Sequence, residues 1–494
     1  MIWFAVSWRL GNRCVDLGRF QDEFRPFRRG EVALARRAQS EPDFLPEAER
    51  HLLRYAVRLA QLSSLGPESD LLTDRLGSFR LRLLQLLAPH LPTDPGGIDA
   101  AALQKLAPRI RHLVEGARGL VAESAVASAE ALDDEVCRKD LVLVMGGAGA
   151  AGFVFLGALR AFEEAGLRPN YILGTSIGAV VGALRARTNR FDLEGLLSQV
   201  ARIGVGKLFR PPATPGRYGL PGALRLDLKG GLGWFFSHGD GSPVRLSELR
   251  IPFDTMVCGL GAGALTHERG EYADLLGEEL HDPEEFTHLR SATIMRAVAA
   301  LIELAVSRRM FVQLQLGGGP ETAQLEALDA AGFSAAIPAL LQYDVIDADP
   351  HTERVLNGLF ERHKLVALVD GSIGQLLPAQ RAWQTVESGR LGHRNCAIVA
   401  LDALVAARGR NRVLAPLQRA LAATVQRDRA FWDLYVPYPR APFVLDLVPR
   451  DSLLRRAADD GYEQTRETAE LLRGLLAPLP RWEAIASGIP EWRR

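Results

Sequence analysis

Apolar residues recur at helical spacing through the first quarter of the chain and gather into short unbroken runs after it. Leu52, Leu53, Ala56, Leu59 and Ala60 repeat at three- and four-residue intervals, as do Leu72, Leu76, Phe79, Leu83 and Leu86. A third stripe, Leu103, Leu106, Ile110 and Leu113, belongs to a stretch from Ile98 to about Glu130. Each stripe lines one face of a helix, and Gly66-Pro67 and Pro92–Gly97 punctuate the series. The polar run Asp133–Asp140 then reads as a linker.

Beyond it the period changes. Leu141–Met145, Tyr171–Leu173, Leu365–Val369, Ala397–Leu401 and Phe443–Leu447 are short apolar runs that predict buried strands. Helices are expected from Leu156 to Gly166, from Ile177 onward, and over Leu404–Asp428 and Arg450–Leu476. Such alternation predicts an α/β fold, a mostly parallel sheet with helices on both faces. The Gly/Pro-rich stretch Pro211–Pro243, with Trp234, Phe235 and Phe236, suits a lid or binding loop. Thr293–Val306 is apolar nearly all round but too short to span a bilayer, and predicts a buried helix or a groove wall. The chain thus divides into a helical N-terminal extension (1–138), an α/β domain (139–475) and a C-terminal tail (476–494). The extension carries no recognisable chemistry and reads as a packed cap, with a partner-binding module as the alternative.

Composition removes several function classes. With 47% hydrophobic and 24% charged residues among 494, the chain can bury a large core. Lys+Arg 59 balances Asp+Glu 59, so no overall field favours nucleic acid. The four cysteines (Cys14, Cys137, Cys258, Cys396) lie far apart and show no metal-ligand spacing; neither metal nor cofactor is expected. Met1–Trp8 is apolar but lacks the basic flank and cleavage site of a leader and reads as a strand or helix start. These features predict a cytoplasmic protein, peripheral at membranes if its substrate lies there.

The candidate chemistry begins at Tyr171-Ile-Leu-Gly174-Thr-Ser176-Ile-Gly178-Ala179, a Gly-x-Ser-x-Gly between a strand and a small-residue helix. That context predicts a nucleophile elbow, with Ser176 at a strand end and the N–H groups of the following helix, Ile177 first, aimed at the reacting centre. One strand upstream, Gly146-Gly147-Ala148-Gly149-Ala150-Ala151-Gly152 forms a glycine-rich loop that can turn several N–H groups toward an oxyanion. The right-handed crossover places both loops on one edge of the sheet. The loop also matches the dinucleotide pattern Gly147-x-Gly149-x-x-Gly152, but the acid expected at the end of the second strand is absent.

These motifs resemble the patatin-like phospholipases, in which an oxyanion loop, Gly-x-Ser-x-Gly and a distant Asp-Gly-Gly/Ala occur in that order. The third motif is similar to Asp370-Gly371-Ser372, which closes the run Leu365–Val369. Softer echoes are Leu249–Leu260, Ser334-Ala-Ala-Ile-Pro338 and Gly461-Tyr462-Glu463, so the resemblance spans about residues 139–475. It implies a three-layer sandwich and a lipid acyl hydrolase with a Ser176–Asp370 dyad. It further implies oxyanion donors among Gly147, Ala148, Gly149 and Ile177, motif glycines Gly152, Gly174, Gly178 and Gly371, and a lipid or fatty-acyl ester as partner. A homodimer is compatible with it. Three positions depart from the pattern: Ala148 replaces a glycine, Ala151 the usual Arg or Lys, and Ser372 the usual Gly or Ala. Two alternatives stay open. One is an esterase with a Ser-His-Asp triad, for which His393 is the only histidine after Asp370. The other is a catalytically weak lipid-binding or regulatory protein that keeps the fold.

Overall fold

The computed structural model describes residues 7–10, 13–65, 72–91, 97–123, 128–211, 216–265, 311–345, 349–405, 412, 415–447 and 450–487. A hairpin of β1 (Ser7–Leu10) and β2 (Arg13–Asp16) precedes five helices: α1 (Leu17–Ser40), α2 (Glu47–Gln61), α3 (Leu72–Leu87), α4 (Ala100–Glu123) and α5 (Ala129–Cys137). The predicted stripes face inward, with Leu52, Leu53, Leu76, Leu83, Leu103 and Ile110 buried in one helical core. The expected third helix is α4, and a further helix, α5, forms where a linker was expected, because Ser128 caps it by accepting from the Ala131 N–H.

The polar run read as a linker, Asp133–Asp140, overlaps α5, and its Asp133 and Glu135 are buried. Asp133 accepts from the Tyr55 hydroxyl, and Glu135 accepts the backbone N–H groups of Arg394 and Asn395, so each buried carboxylate is satisfied. The C-terminal segment returns to this layer. Helix α15 (Trp482–Ser487) sets Trp482 against Tyr55, ring centroids 5.1 Å apart, with Ile485 in the same core.

The α/β part runs β3 (Asp140–Met145), α6 (Val154–Glu164), β4 (Tyr171–Thr175), α7 (Ile177–Arg187) and α8 (Leu193–Ile203). Then come β5 (Phe209–Arg210), β6 (Gly222–Leu226), α9 (Leu228–Leu232), β7 (Phe253–Gly261) and β8 (Phe311–Leu316). Next are α10 (Ala327–Ser334), β9 (Ala339–Gln342), α11 (Pro350–His363), β10 (Leu365–Asp370), α12 (Ala379–Glu387) and β11 (Cys396–Asp402). The last are α13 (Ala415–Asp428), β12 (Leu434–Pro437) and α14 (Asp451–Leu476). A parallel block of β12, β11, β3, β4 and β7 forms the centre of the main sheet. Strands β5, β6 and β9 make a small separate sheet.

The register around β7 decides the site. β4 pairs with residues 253–256 of β7, antiparallel β8 with 255–260, and antiparallel β10 with 257–261. A strand has only two hydrogen-bonding edges, and β8 overlaps both others. β4 and β10 must therefore share the remaining edge, end to end and pointing at each other. Thr175 pairs with Met256 and Asp370 with Val257, so the two C-terminal ends meet at consecutive residues of β7.

Two sequence expectations change. Phe443–Leu447 is a turn rather than a strand, its apolar residues facing a cavity described below; the edge strand is Leu434–Pro437, ending at a proline as an edge tolerates. The helix expected from Leu404 begins at Ala415, where Pro416 fits its first turn. Thr293–Val306 lies outside the described residues.

Helix α14 packs on α6 through a glycine pair. A Cβ on Gly157 would lie 1.7 Å from the Ala458 carbonyl oxygen, and one on Gly461 1.9 Å from that of Val154. Gly461→Ala should therefore lower the urea midpoint, at a cost of about 1–3 kcal/mol or more from overpacking. Gly77→Ala, on α3 with no heavy atom within 4 Å of the new Cβ, should leave or slightly raise it. Equal midpoints for the two variants would contradict the close crossing.

Candidate active site

Ser176 follows β4 with φ 55° and ψ −128°, a left-handed backbone for a residue with a side chain. Holding it there costs about 1–3 kcal/mol, so its surroundings must enforce the turn. Gly174 and Gly178 permit it by close approach: added Cβ atoms would lie 2.5 Å from the Gly178 oxygen and 2.2 Å from the Met145 oxygen. A residue outside the motif fixes it. The Ser176 N–H donates to Ser334 Oγ (2.9 Å), and Ser334 Oγ donates to the Met256 carbonyl (2.6 Å). Ser334 thus ties the elbow to β7, and the Ser176 N–H is committed.

Asp370 closes β10 within reach. Ser176 Oγ donates to Asp370 Oδ2 at 2.6 Å, while Asp370 Oδ1 accepts from the Ser372 N–H (2.8 Å) and the Ser372 hydroxyl. Gly371 must be glycine because a Cβ there would sit 2.1 Å from the Met256 oxygen. Burial raises the Asp370 carboxyl from 3.8 to about 6, against the opposing pull of the bonds from Ser176 and Ser372. A carboxylate with an ordinary value would be a poor proton acceptor at neutral pH; this one is poised near it.

The glycine loop lies opposite. The Gly147 N–H donates to the Leu376 carbonyl (3.3 Å). Among the described residues the N–H groups of Ala148, Gly149 and Ile177 have no protein acceptor. Ala148 has φ −156°, so its methyl group brings no left-handed strain. Gly149 has φ +50° and admits no Cβ, since one would lie 2.5 Å from the Val444 oxygen. Gly152 packs against Ile177, 2.2 Å from its Cγ2 to the missing Cβ. Ala151 is fully buried, so the position matching the family's loop cation faces the core and has no room for a long basic chain.

Two cavities meet at Ser176. One, of about 130 Å³, is lined by Ile177, Val180, Leu184, Leu197, Leu228 and Leu232 among others. The second, of about 60 Å³, adds Asp370 and Ser372 to an apolar wall that includes Ile337, Leu417 and Val444. Trp234, Phe235 and Phe236 line neither. Phe236 is buried and Trp234 is 47% exposed.

The histidines lie elsewhere. His393 precedes β11 at the edge opposite Ser176 and pairs with Glu135 at 3.4 Å. His363 ends α11, before the first residue of β10. Among the described residues no histidine bonds Ser176 or Asp370, and no His, Cys, Asp and Glu group has the geometry to hold a metal ion. No described helix is long and apolar enough to cross a membrane.

A strained serine at a strand-to-helix turn, a buried carboxylate and a glycine loop define a hydrolase-type site on a mostly parallel α/β sheet. Residues 143–383 match the family model of the patatin-like phospholipases, and the chain carries a domain of that family. Over 52 residues it is 50% identical to lysophospholipase NTE1 of Coccidioides immitis and of Pyricularia oryzae, and 48% identical to that of Aspergillus fumigatus. That stretch is 10% of this chain and 3% or 4% of those proteins, so the chain matches a small part of their length.

The raised carboxyl has a thermodynamic signature. Ionising Asp370 is harder in the fold than in the unfolded chain, so its contribution is most favourable below about pH 4 and is lost as pH rises through about 6. The full cost at neutral pH is about 3 kcal/mol. Asp370→Asn should raise Tm at pH 8 and lose that advantage at pH 4, as read by calorimetry across pH. An advantage that grows toward low pH would contradict the assignment.

Proposed function

We propose that the protein is a lipid acyl hydrolase that cleaves carboxylic esters through Ser176 and Asp370. The observation that carries this reading is the 2.6 Å hydrogen bond from Ser176 Oγ to Asp370 Oδ2 where two apolar cavities meet. The family match over residues 143–383 supports it.

In this reading the ester carbonyl lies between Ser176 Oγ and the Ala148 and Gly149 N–H groups. Ser176 Oγ attacks the carbonyl carbon as its proton passes to Asp370 Oδ2. The tetrahedral oxyanion takes hydrogen bonds from the loop N–H groups and the dipole of α7. Collapse expels the alkoxide, which takes the proton back from Asp370, and leaves an acyl-enzyme. Water then repeats the sequence, giving up its proton to Asp370 and releasing the acid. No third residue is needed, because burial already brings the carboxyl near neutrality.

The larger cavity takes the acyl chain. Its lining is apolar apart from Ser176, and each buried methylene contributes about 0.8 kcal/mol. The leaving alcohol lies on the Asp370 side, beside the carboxyl that must reprotonate it. A lipid surface is the source of substrate, and the lysophospholipase name of the similar proteins puts monoacyl lipids first among candidates.

Ser176→Ala and Asp370→Asn should each cut hydrolysis of a monoacyl ester by several orders of magnitude with folding intact. His363→Ala and His393→Ala should keep most of it. Loss of turnover in a folded histidine variant, with Asp370→Asn near wild type, would return the case to a triad esterase. Val180→Trp, which fills the larger cavity, should shift kcat/KM toward shorter acyl chains on a chain-length panel. An unchanged length profile would place the acyl chain elsewhere.

A further inference from the structure

Asp370 accepts three hydrogen bonds, and they are divided unequally. Among the described residues Oδ2 receives only Ser176 Oγ, while Oδ1 receives both the backbone N–H and the hydroxyl of Ser372. The backbone bond is an Asx-type turn that any residue at 372 could supply. The hydroxyl bond depends on this chain having serine where the resembling family has Gly or Ala. From this geometry, and resting on the hydrolase reading above, we infer that Ser372 is a positioning residue for the base, which it orients so that the proton from Ser176 arrives on Oδ2.

The chemistry follows from the donors. An ionised carboxylate oxygen accepts readily from two donors, whereas a protonated one would turn its own O–H against them. Oδ1 is therefore held as an acceptor in both states. The proton has one oxygen to occupy, the one facing Ser176 and the leaving alcohol. A donor to the charged form also favours ionisation, so the Ser372 hydroxyl works against the burial that makes Asp370 a base at all.

Few other groups act on this carboxyl. The β7 face presents the Cys258 thiol, pushed up to about 12 by burial and by Asp370, hence neutral over the working range. The segment after α10 presents the Ala336 carbonyl, which accepts the Asp370 N–H at 2.8 Å. Ser334 faces Ser176 rather than Asp370. Among the described residues no charged side chain is a cause of the Asp370 shift. Ser372 is also placed to be felt by the oxyanion loop, since its Cβ lies 2.6 Å from where a Cβ on Gly147 would be. Ser372→Ala keeps that Cβ and the backbone donor, and removes the hydroxyl alone.

The test titrates Asp370 directly and through catalysis. In protein labelled with 13C at the aspartate carboxyls, the Asp370 resonance is assigned by its absence in Asp370→Asn and followed against pH in wild type and Ser372→Ala. Loss of a hydrogen bond to a charged group should raise its midpoint by roughly one pH unit. The acid limb of kcat/KM for a soluble p-nitrophenyl ester should move the same way, with KM and Tm little changed. Ser372→Thr, which restores a hydroxyl, should bring both midpoints back toward wild type. An unmoved carboxyl midpoint in folded Ser372→Ala overturns the inference. Absence of ester turnover in wild type would sink the hydrolase reading instead, and the titration would still decide the role of Ser372.

Discussion

Everything at the site depends on two strands sharing one edge of β7. Because β8 covers the other edge, β4 and β10 have to approach along the same line from opposite directions. Their C-terminal ends cannot overlap, so each chain must leave the sheet where they meet. β4 leaves through the strained Ser176, and β10 through the short turn Gly371–Ile373. A Cβ on Gly371 would strike the Met256 backbone at that junction, while Cβ atoms at 174 and 178 would strike the elbow's own backbone and that of β3. Ser334 bonds the elbow to the same Met256 carbonyl that closes the gap. A serine hydroxyl and a carboxylate brought together this way need no long side chain to bridge them.

The electrostatics follow from what is missing around Asp370. Glu31 is buried as deeply, at 1% exposure against 2%. Burial pushes both upward, yet Lys139 and Arg58 outweigh it at Glu31 and hold that carboxyl at about 2, whereas Asp370 stands at about 6. Glu31 is a structural anion that ties α1 to α2 and to the start of β3, with a 2.6 Å bond from Arg58 and a 3.1 Å pair with Lys139. Among the described residues Asp370 has only hydroxyl and amide donors, which satisfy a carboxylate without fixing its charge. Fully paired buried carboxylates hold a fold together; a half-compensated one costs stability and can exchange a proton.

Local patterning carried much of this into the sequence. A period-two or unbroken apolar run followed by Gly-x-Ser-x-Gly or Asp-Gly-Ser marks a strand end with a sharp exit, and that marks Ser176 and Asp370. The end-to-end meeting of β4 and β10 left no such trace, because strand direction depends on connections through stretches that periodicity does not order. Ser334 was legible only as part of a family echo, since its task is two hydrogen bonds, across 158 and 78 positions. Which way the Gly147 N–H points left no local trace either, because it is set by the Leu376 carbonyl far downstream. Residues 133–140 read as a linker because the partners of their carboxylates, Tyr55, Arg394 and Asn395, come from distant segments. Phe443–Leu447 is the opposite error: apolar residues serving a cavity wall mimic a strand.

The segment that matches the family, residues 143–383, ends before several parts that shape the site. Strand β11, beyond it, pairs with β3 along six residues and so carries the strand that delivers the glycine loop. The Val444 carbonyl accepts the Ala150 N–H at 2.8 Å and abuts Gly149, which sets the loop's left-handed turn from outside. Helix α14 presses Gly461 against Val154 just after that loop, and its C-terminal Leu475 carbonyl accepts from Arg58 of α2 at 2.7 Å. The glycine loop is therefore held between its own strand and the last hundred residues of the chain. Those residues in turn are fastened to the N-terminal helices by a fully buried guanidinium. Rigid donors are what make an oxyanion site effective, because they pay no reorganisation cost when charge develops. In this chain that rigidity comes from contacts that lie mostly outside the segment bearing the motifs.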